Sequence, residues 1–293
     1  MSTKIAWTEE TWNPLVGCSK VSAGCKNCYA ERMARRLKAM GLPQYQNVVD
    51  ERGWTGEIAL VPDALDKPLR WRKPRRVFVG SMTDLFHENT PTEWTDEIFA
   101  VMGRSQQHTF QILTKRPDRM VEYLSGGRYQ RILDIAYRLK FRDEGMCQGI
   151  SDPSDMSWWP NVWLGTTTEN QKAADRRVPY LLQTRAAVRF ISAEPMLGPI
   201  ELSLYLPFLD IPRWERERLG TPAIDWVIIG CESGPGRRPM ELSWALDLVR
   251  QCQAAGVACF VKQVDIGGRV SHDPAEWPAA LRVREYPGTA HNA

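Results

Sequence analysis

Short apolar runs alternate with longer amphipathic stretches along the chain. RRVFVGSMTDLF (75–86), TFQILTKR (109–116), NVWLGTTTE (161–169), VRFISAEPML (188–197), DWVIIGCES (225–233) and ACFVKQV (258–264) are rich in β-branched and aromatic residues. Their apolar positions are continuous rather than alternating, which predicts parallel strands covered on both faces. Between them, TPTEWTDEIFAVMGRS (90–105), TENQKAADRRVPYLLQT (168–184) and ELSWALDLVRQCQAAG (241–256) repeat their apolar residues at helical spacing. Pro91 opens the first of these, and Gly256 is placed to cap the last. Six strands separated by helices, with a further one expected just before Cys18, predict βα units. The fold class is therefore α/β, a partial or complete (β/α) barrel of parallel strands.

Two stretches break the rhythm. PDALDKPLRW (62–71) predicts a helix inside an insertion near 41–74. RYQRILDIAYRLKFRDEG (128–145) predicts another, followed by the polar SDPSDMSWWP, inside an insertion near 126–160. Residues 1–264 form the expected barrel. The tail 265–293, with Gly267–Gly268, Pro274, Pro278 and Pro287, is expected to be an irregular cap.

At 293 residues the chain is long enough for a full core and still within the range of one barrel. Its 43% hydrophobic and 25% charged content is that of an ordinary globular protein. No apolar run reaches the length of a membrane span, and MSTKIAWTEETW lacks the apolar core of a signal peptide. A cytoplasmic protein with no membrane partner is expected. Seven cysteines in that compartment do not read as a disulfide framework. Cys252 and Cys259 lie in an apolar passage and are expected to be buried and inert.

In parallel barrels, chemistry collects where the strands end. Here those ends are polar in turn: Ser81-Met82-Thr83-Asp84, Thr114-Lys115-Arg116, Thr166-Thr167-Thr168-Glu169, Ser192-Ala193-Glu194-Pro195, Cys231-Glu232-Ser233 and Lys262-Gln263. Loops are polar in any protein, but a charged residue at every end describes a polar binding cup.

The remaining cysteines cluster. GCSKVSAGCKNCYAERMARRL (17–37) holds Cys18, Cys25 and Cys28 in a Cx6CxxC arrangement. Three readings fit these residues. One is a zinc site completed by a distant Cys147, Cys231 or histidine. Another is a [4Fe–4S] cluster on three thiolates, with one iron open to a further ligand. The last is three unligated thiols. A redox CxxC pair lacks its usual context.

A resemblance separates these readings. TWNPLVGCSKVSAGCKNCYAERMA, VFVGSMTDLFHE, ILTKRPDRM, WLGTTTEN, RFISAEPMLGPI and DWVIIGCESGPGRRPM, in that order, closely resemble the phage-associated three-Cys-motif family. That family is radical SAM-like and distantly similar to spore photoproduct lyase. The likeness runs from about Trp7 to Gln263. Two departures stand out. Radical SAM enzymes usually space their cysteines CxxxCxxC, and Cys231 stands where glycine is expected in IIGGES.

The resemblance implies a radical SAM-like barrel in which Cys18, Cys25 and Cys28 hold a [4Fe–4S] cluster. Its open iron takes the amino and carboxylate groups of S-adenosylmethionine. Tyr29 matches an aromatic that packs on the adenine. Ser81, Thr83 and Asp84 match the region that meets the cofactor's amino group, a role for which a carboxylate is chemically suited. Lys115 is a candidate for the cofactor carboxylate or ribose, and Glu169 and Glu194 for ribose hydroxyls or substrate. Glu232 and Lys262 fall where substrate lies and are the catalytic candidates. The bland alternative for those two is a buried ion pair with each other.

Basic residues gather in RMARRLK (32–38), RWRKPRR (70–76) and GPGRRP (234–239), the second interleaved with an aromatic. This makes nucleic acid a candidate substrate, although charge runs are more often solvated faces. Two function classes remain. One is a radical enzyme that needs a one-electron reductant and acts on an unidentified substrate, with a nucleic-acid base or sugar as candidates. The other is a non-catalytic nucleic-acid-binding barrel with a structural zinc or iron–sulfur site.

Overall fold

The computed structural model describes residues 3, 5–140, 160–207, 211 and 213–288. Within them the chain forms β1 (Glu10–Trp12), β2 (Leu15–Val16), α1 (Tyr29–Ala39), β3 (Ala59–Leu60), α2 (Pro62–Leu65), β4 (Arg76–Val79), α3 (Thr92–Arg104) and β5 (Thr109–Thr114). There follow α4 (Pro117–Ser125), α5 (Tyr129–Lys140), β6 (Val162–Thr167), α6 (Gln171–Leu182), β7 (Val188–Ala193), α7 (Arg213–Arg218), β8 (Trp226–Gly230), α8 (Leu242–Ala254), β9 (Ala258–Ile266) and β10 (Arg269–Ser271).

The main sheet runs β1-β4-β5-β6-β7-β8-β9-β10, and β2 pairs with β3 separately. β1–β4, β4–β5, β7–β8 and β8–β9 are parallel. β10 is added antiparallel, on β9. This mostly parallel sheet alternating with helices is the expected α/β fold, and its strand order is consistent with a partial (β/α) barrel. Among the described residues no helix is long and apolar enough to cross a membrane.

Two expectations change. The tail is not irregular at its start. β9 continues to Ile266 and turns back into β10 through Gly267 and Gly268, whose φ angles are 57° and 80°. Two consecutive positive φ values are what a tight two-residue hairpin needs, so the glycine pair marks a hairpin. Helix α4 adds to the expected elements. Pro117 at its first position and Asp118 in its first turn start a helix directly after Arg116.

Contacts divide the chain into two compact units. The first comprises 1–21, 30–164 and 184–187. Trp12 is its central side chain, 1% exposed, with its ring tilted against Phe110 at 5.6 Å. Its indole Nε1 donates to the Ala64 carbonyl at 2.7 Å. Ile98, Phe99, Val101 and Met102 of α3 are buried. Asp96, wholly buried on the same helix, accepts from Tyr123 Oη at 2.9 Å and Arg128 Nε at 2.8 Å, and Arg131 Nε lies 2.9 Å away. Burial first, then the Asp96 charge, pushes the Tyr123 hydroxyl pKa up.

The second unit comprises 22–29, 165–183 and 188–293. Its core stacks Phe190, Trp226, Phe260 and Tyr286 in tilted and edge contacts. Gly165 on β6 admits this packing, because a Cβ there would lie 2.5 Å from Phe190 Cζ. Gly165→Ala should therefore destabilise the protein by roughly 1–3 kcal/mol, the usual penalty of overpacking. Urea titrations should show a lower midpoint, partly restored by adding Phe190→Leu. An unchanged midpoint would mean that the ring yields without cost.

A candidate metal centre on the cysteine loop

The unit boundary passes through the cysteine motif. Cys18 belongs to the first unit, and Cys25 and Cys28 to the second. All three are unbridged and half-buried, whereas Cys231, Cys252 and Cys259 are buried. Cys147, a candidate fourth ligand, lies outside the described residues.

In the first unit the polar end of β4 holds the approach to Cys18. Ser81 Oγ and the Met82 amide donate to Asn13 Oδ1, each at 3.1 Å. Thr83 Oγ1 donates to the Gly17 carbonyl at 2.7 Å. Gly17 has φ 109°, and a Cβ there would stand 2.1 Å from the Glu57 carbonyl oxygen, so no other residue fits. Ser81 and Thr83 thus bind the protein's own chain.

Arg116 then reaches Cys18. The residue is 5% exposed, and its Nη1 lies 4.0 Å from Cys18 Sγ and 3.1 Å from Asp84 Oδ2. Its Nε donates to Glu88 at 2.8 Å, and its Nη2 to Ser19 Oγ at 2.6 Å and the Ser19 carbonyl at 3.3 Å. Ser19 Oγ also meets His87 Nε2 at 2.8 Å. Burial, reinforced by Arg116, pushes the His87 pKa down. Lys20 pairs with Glu31 at 2.9 Å.

Asp84 is saturated. Oδ1 accepts from Thr114 Oγ1 at 2.7 Å and the Phe86 amide at 3.2 Å. Oδ2 accepts from the Lys115 amide at 3.1 Å as well as from Arg116. A carboxylate offers about four lone-pair sites, and all are taken. Asp84, expected to meet a cofactor ammonium, here accepts from Arg116 and three neighbouring donors. The Lys115 ammonium, by contrast, makes no hydrogen bond or ion pair among the described residues.

The second unit holds Cys25 and Cys28. Glu169 Oε1 accepts from the Gly24 amide at 3.3 Å, while Oε2 accepts from Arg177 Nη1 at 2.7 Å. Arg238 Nη1 donates to the Ala23 carbonyl at 2.9 Å. Its amide and Nε donate to Glu232 Oε2 at 2.7 and 3.0 Å, and its Nη2 to Oε1. Asn27 Nδ2 donates to the same carboxylate and to the Gly236 carbonyl, both at 2.8 Å. Burial opposes the Glu232 charge, but the hydrogen bonds from Arg238 and Asn27 outweigh it and hold its pKa down to about 2. Tyr29, opening α1, is 48% exposed.

Glu232 and Lys262 do not pair with each other. Lys262 Nζ pairs with Glu194. Lys262 also lies within β9 rather than after it. Ile229 is opposite Val261 and Gly230 opposite Gln263, so Lys262 is the extra residue of a bulge. Cys231 is fully buried, and burial pushes its thiol pKa up to about 12, so the cysteine that replaces the expected glycine is an inert core thiol. Cys252 and Cys259 are buried as expected. Several cations of the basic runs have carboxylate partners. Arg70 pairs with Asp66, Arg75 with Glu10, Arg76 with Glu9, Arg35 with Glu31 and Arg237 with Asp265.

Among the described residues no three Cys, His, Asp or Glu side chains are gathered to hold a metal ion. The candidate centre rests on donor chemistry: three unbridged, half-buried thiols, Cys18 in the first unit and Cys25 and Cys28 in the second.

Fold and site define an α/β protein with a mostly parallel sheet and an anchored three-cysteine loop. The chain belongs to the DUF5131 family, described as a protein of unknown function, whose family model matches residues 2–293. No curated protein and no solved structure gives a significant match.

The Glu232 anchor has a pH signature. A carboxylate whose folded pKa is depressed stabilises the fold above its unfolded pKa, near 4.5, and loses that contribution as pH falls through about 2. The stability difference between wild type and Glu232→Gln should be constant near neutrality and shrink between these values. Denaturant titrations across that range check it. A difference that does not change with pH would show that the carboxylate's charge is not what holds the loop.

Proposed function

We propose that the protein is a radical SAM-like enzyme that binds a [4Fe–4S] cluster through Cys18, Cys25 and Cys28 and reductively cleaves S-adenosylmethionine. The observation that carries this reading is the loop itself. Its three cysteines are unbridged and half-buried within eleven positions, while the other described cysteines are buried. Soft thiolates suit iron–sulfur ligation. The order of motifs agrees with the finer family likeness, that of the phage-associated three-Cys-motif proteins. When bound, the reduced cluster would pass one electron to S-adenosylmethionine, releasing methionine and a 5′-deoxyadenosyl radical.

The chain's own residues divide this work. Ser81, Thr83, Asp84, Glu169 and Glu232 position the loop rather than the cofactor. Lys115, at the end of β5 and with no ammonium partner among the described residues, is the group available for the cofactor carboxylate, and Tyr29 offers an exposed ring to the adenine. The partly buried Glu194–Lys262 pair remains for the substrate, with a nucleic-acid base or sugar as candidates.

Anaerobic reconstitution should restore about four irons per chain. Cys18→Ala, Cys25→Ala or Cys28→Ala should abolish this and Cys252→Ala should not. With dithionite the loaded protein should release methionine and 5′-deoxyadenosine. Full loading of Cys25→Ala would sink the cluster assignment. A colourless protein with bound zinc would favour the non-catalytic nucleic-acid-binding reading.

Lys115→Gln should keep the iron and weaken S-adenosylmethionine binding about tenfold, the loss of one charge-assisted contact. Equilibrium dialysis measures it, and an unchanged affinity would remove Lys115 from the cofactor.

A further inference from the structure

Arg116 is buried, charged and directed at a cysteine, and no role in the reaction has yet been given to it. We infer that the Arg116 guanidinium, held by Asp84 and Glu88, donates to the Cys18 sulfur and sets the reduction potential of the centre bound there. This rests on the iron–sulfur reading above.

The donor count supports the inference. A guanidinium carries five N–H groups in a rigid fork. Here they meet Glu88, Asp84, Ser19 Oγ, the Ser19 carbonyl and Cys18 Sγ. Four acceptors are oxygens, and the fifth is sulfur. A neutral thiol is a weak acceptor, so a buried cationic N–H aimed at one gains little. Aimed at a thiolate it makes a charge-assisted bond. Cys18 Sγ also lies 3.4 Å from the Ser19 carbonyl, to which a thiol donates, so the Arg116 contact becomes charge-assisted when the sulfur serves as a ligand.

The fork is also held from outside. Asp84, saturated and 6% exposed, fixes one edge, and Glu88 fixes Nε. Ser19, next in sequence to Cys18, bonds the second amino group through both its hydroxyl and its carbonyl. Rotating the guanidinium away from Cys18 would break several of these bonds together. Arg116 is thus a positioning residue whose effect reaches the metal through one N–H···S contact.

Hydrogen bonds to cluster sulfurs help to set the potential of an iron–sulfur centre. Reduction adds one electron, and a donor on the ligand sulfur stabilises the added negative charge. Removing the donor should make the centre harder to reduce.

The test is a dithionite titration of reconstituted protein, each cluster accepting one electron, followed by electron paramagnetic resonance. Arg116→Lys keeps the charge beside Asp84 but loses the fork. The double variant Arg116→Gln/Asp84→Asn removes both buried charges together, so no carboxylate is stranded. Both should keep about four irons. Both should show a reduced-to-oxidised ratio about tenfold lower at a fixed potential, equivalent to about 59 mV for a one-electron couple. Arg250→Gln, an exposed change on α8, should leave the midpoint in place. Fully loaded variants with the wild-type midpoint would overturn the inference. So would loss of iron from both variants, which would make Arg116 a folding residue only. Wild-type protein that takes up no cluster would instead overturn the reading on which the inference rests.

Discussion

Inside a protein a carboxylate stays ionised only where a cation and hydrogen-bond donors answer it. Asp84 is answered by Arg116, Glu169 by Arg177, Glu232 by Arg238 and Glu194 by Lys262. The first three of these pairs do more than neutralise charge. Arg116 reaches on to Ser19 and Cys18, Arg238 to the Ala23 carbonyl, and Glu169 to the Gly24 amide. A planar guanidinium can bind a carboxylate with one edge and a loop with the other, which a point-charge ammonium does less well. The cysteine loop has little secondary structure of its own beyond the short turn Ala23–Cys25. These forks supply hydrogen bonds that a helix or strand would otherwise provide.

Stability is a poor explanation for such pairs. Desolvating both partners cancels much of their attraction, and well-packed apolar residues often serve as well. Removing one partner alone costs about 3–5 kcal/mol, because the other is stranded. What the pairs supply is a single arrangement. Each carboxylate accepts from fixed backbone or side-chain donors, so its geometry is determined on several sides, and the loop inherits that precision. Catalytic and metal centres need ligands placed to within a fraction of an ångström, which supporting shells of this kind achieve.

Strands and helices were legible because their patterns are continuous. Runs such as DWVIIG and RRVFV contain no competing signal, and β8 and β4 lie within them. The glycine pair at 267–268 was equally visible but read as looseness, since only the backbone angles show it to be a hairpin. At the site, the residue types were found and their partners were not. Glu232 and Lys262 face two choices each, and charge alone cannot tell Arg238 from Lys262 as the mate of Glu232. Spacing decides it: Arg238 is six residues away on the same loop, so its backbone amide and its side chain converge on one carboxylate. Arg116 stood in a charged strand end but was overshadowed by Lys115. Its signal was the proline that follows, which starts α4 and fixes the residue at a strand-to-helix corner. For the basic runs, sequence shows the cations but not the acids folded against some of them, such as Glu9, Glu10 and Asp66.

The long spacing between Cys18 and Cys25 acquires a physical reason from the same contacts. A CxxxCxxC loop places three residues between its first two cysteines, and here there are six. Ser19 is taken by Arg116 and His87, and Lys20 by Glu31, all within the first unit. Ala23 and Gly24 are taken by Arg238 and Glu169, and the Ser22 hydroxyl lies 4.0 Å from Cys25 Sγ, all within the second. Val21, between these two sets, makes no anchoring polar contact among the described residues and is 40% exposed. Three intervening residues cannot supply two sets of anchors and a free link between them. The six residues give Cys18 and Cys25 separate sets of anchors, while the cysteines themselves remain unbridged. In this chain the longer spacing goes with the way the loop is held, through Ser19 and Lys20 before Val21 and through Ala23 and Gly24 after it.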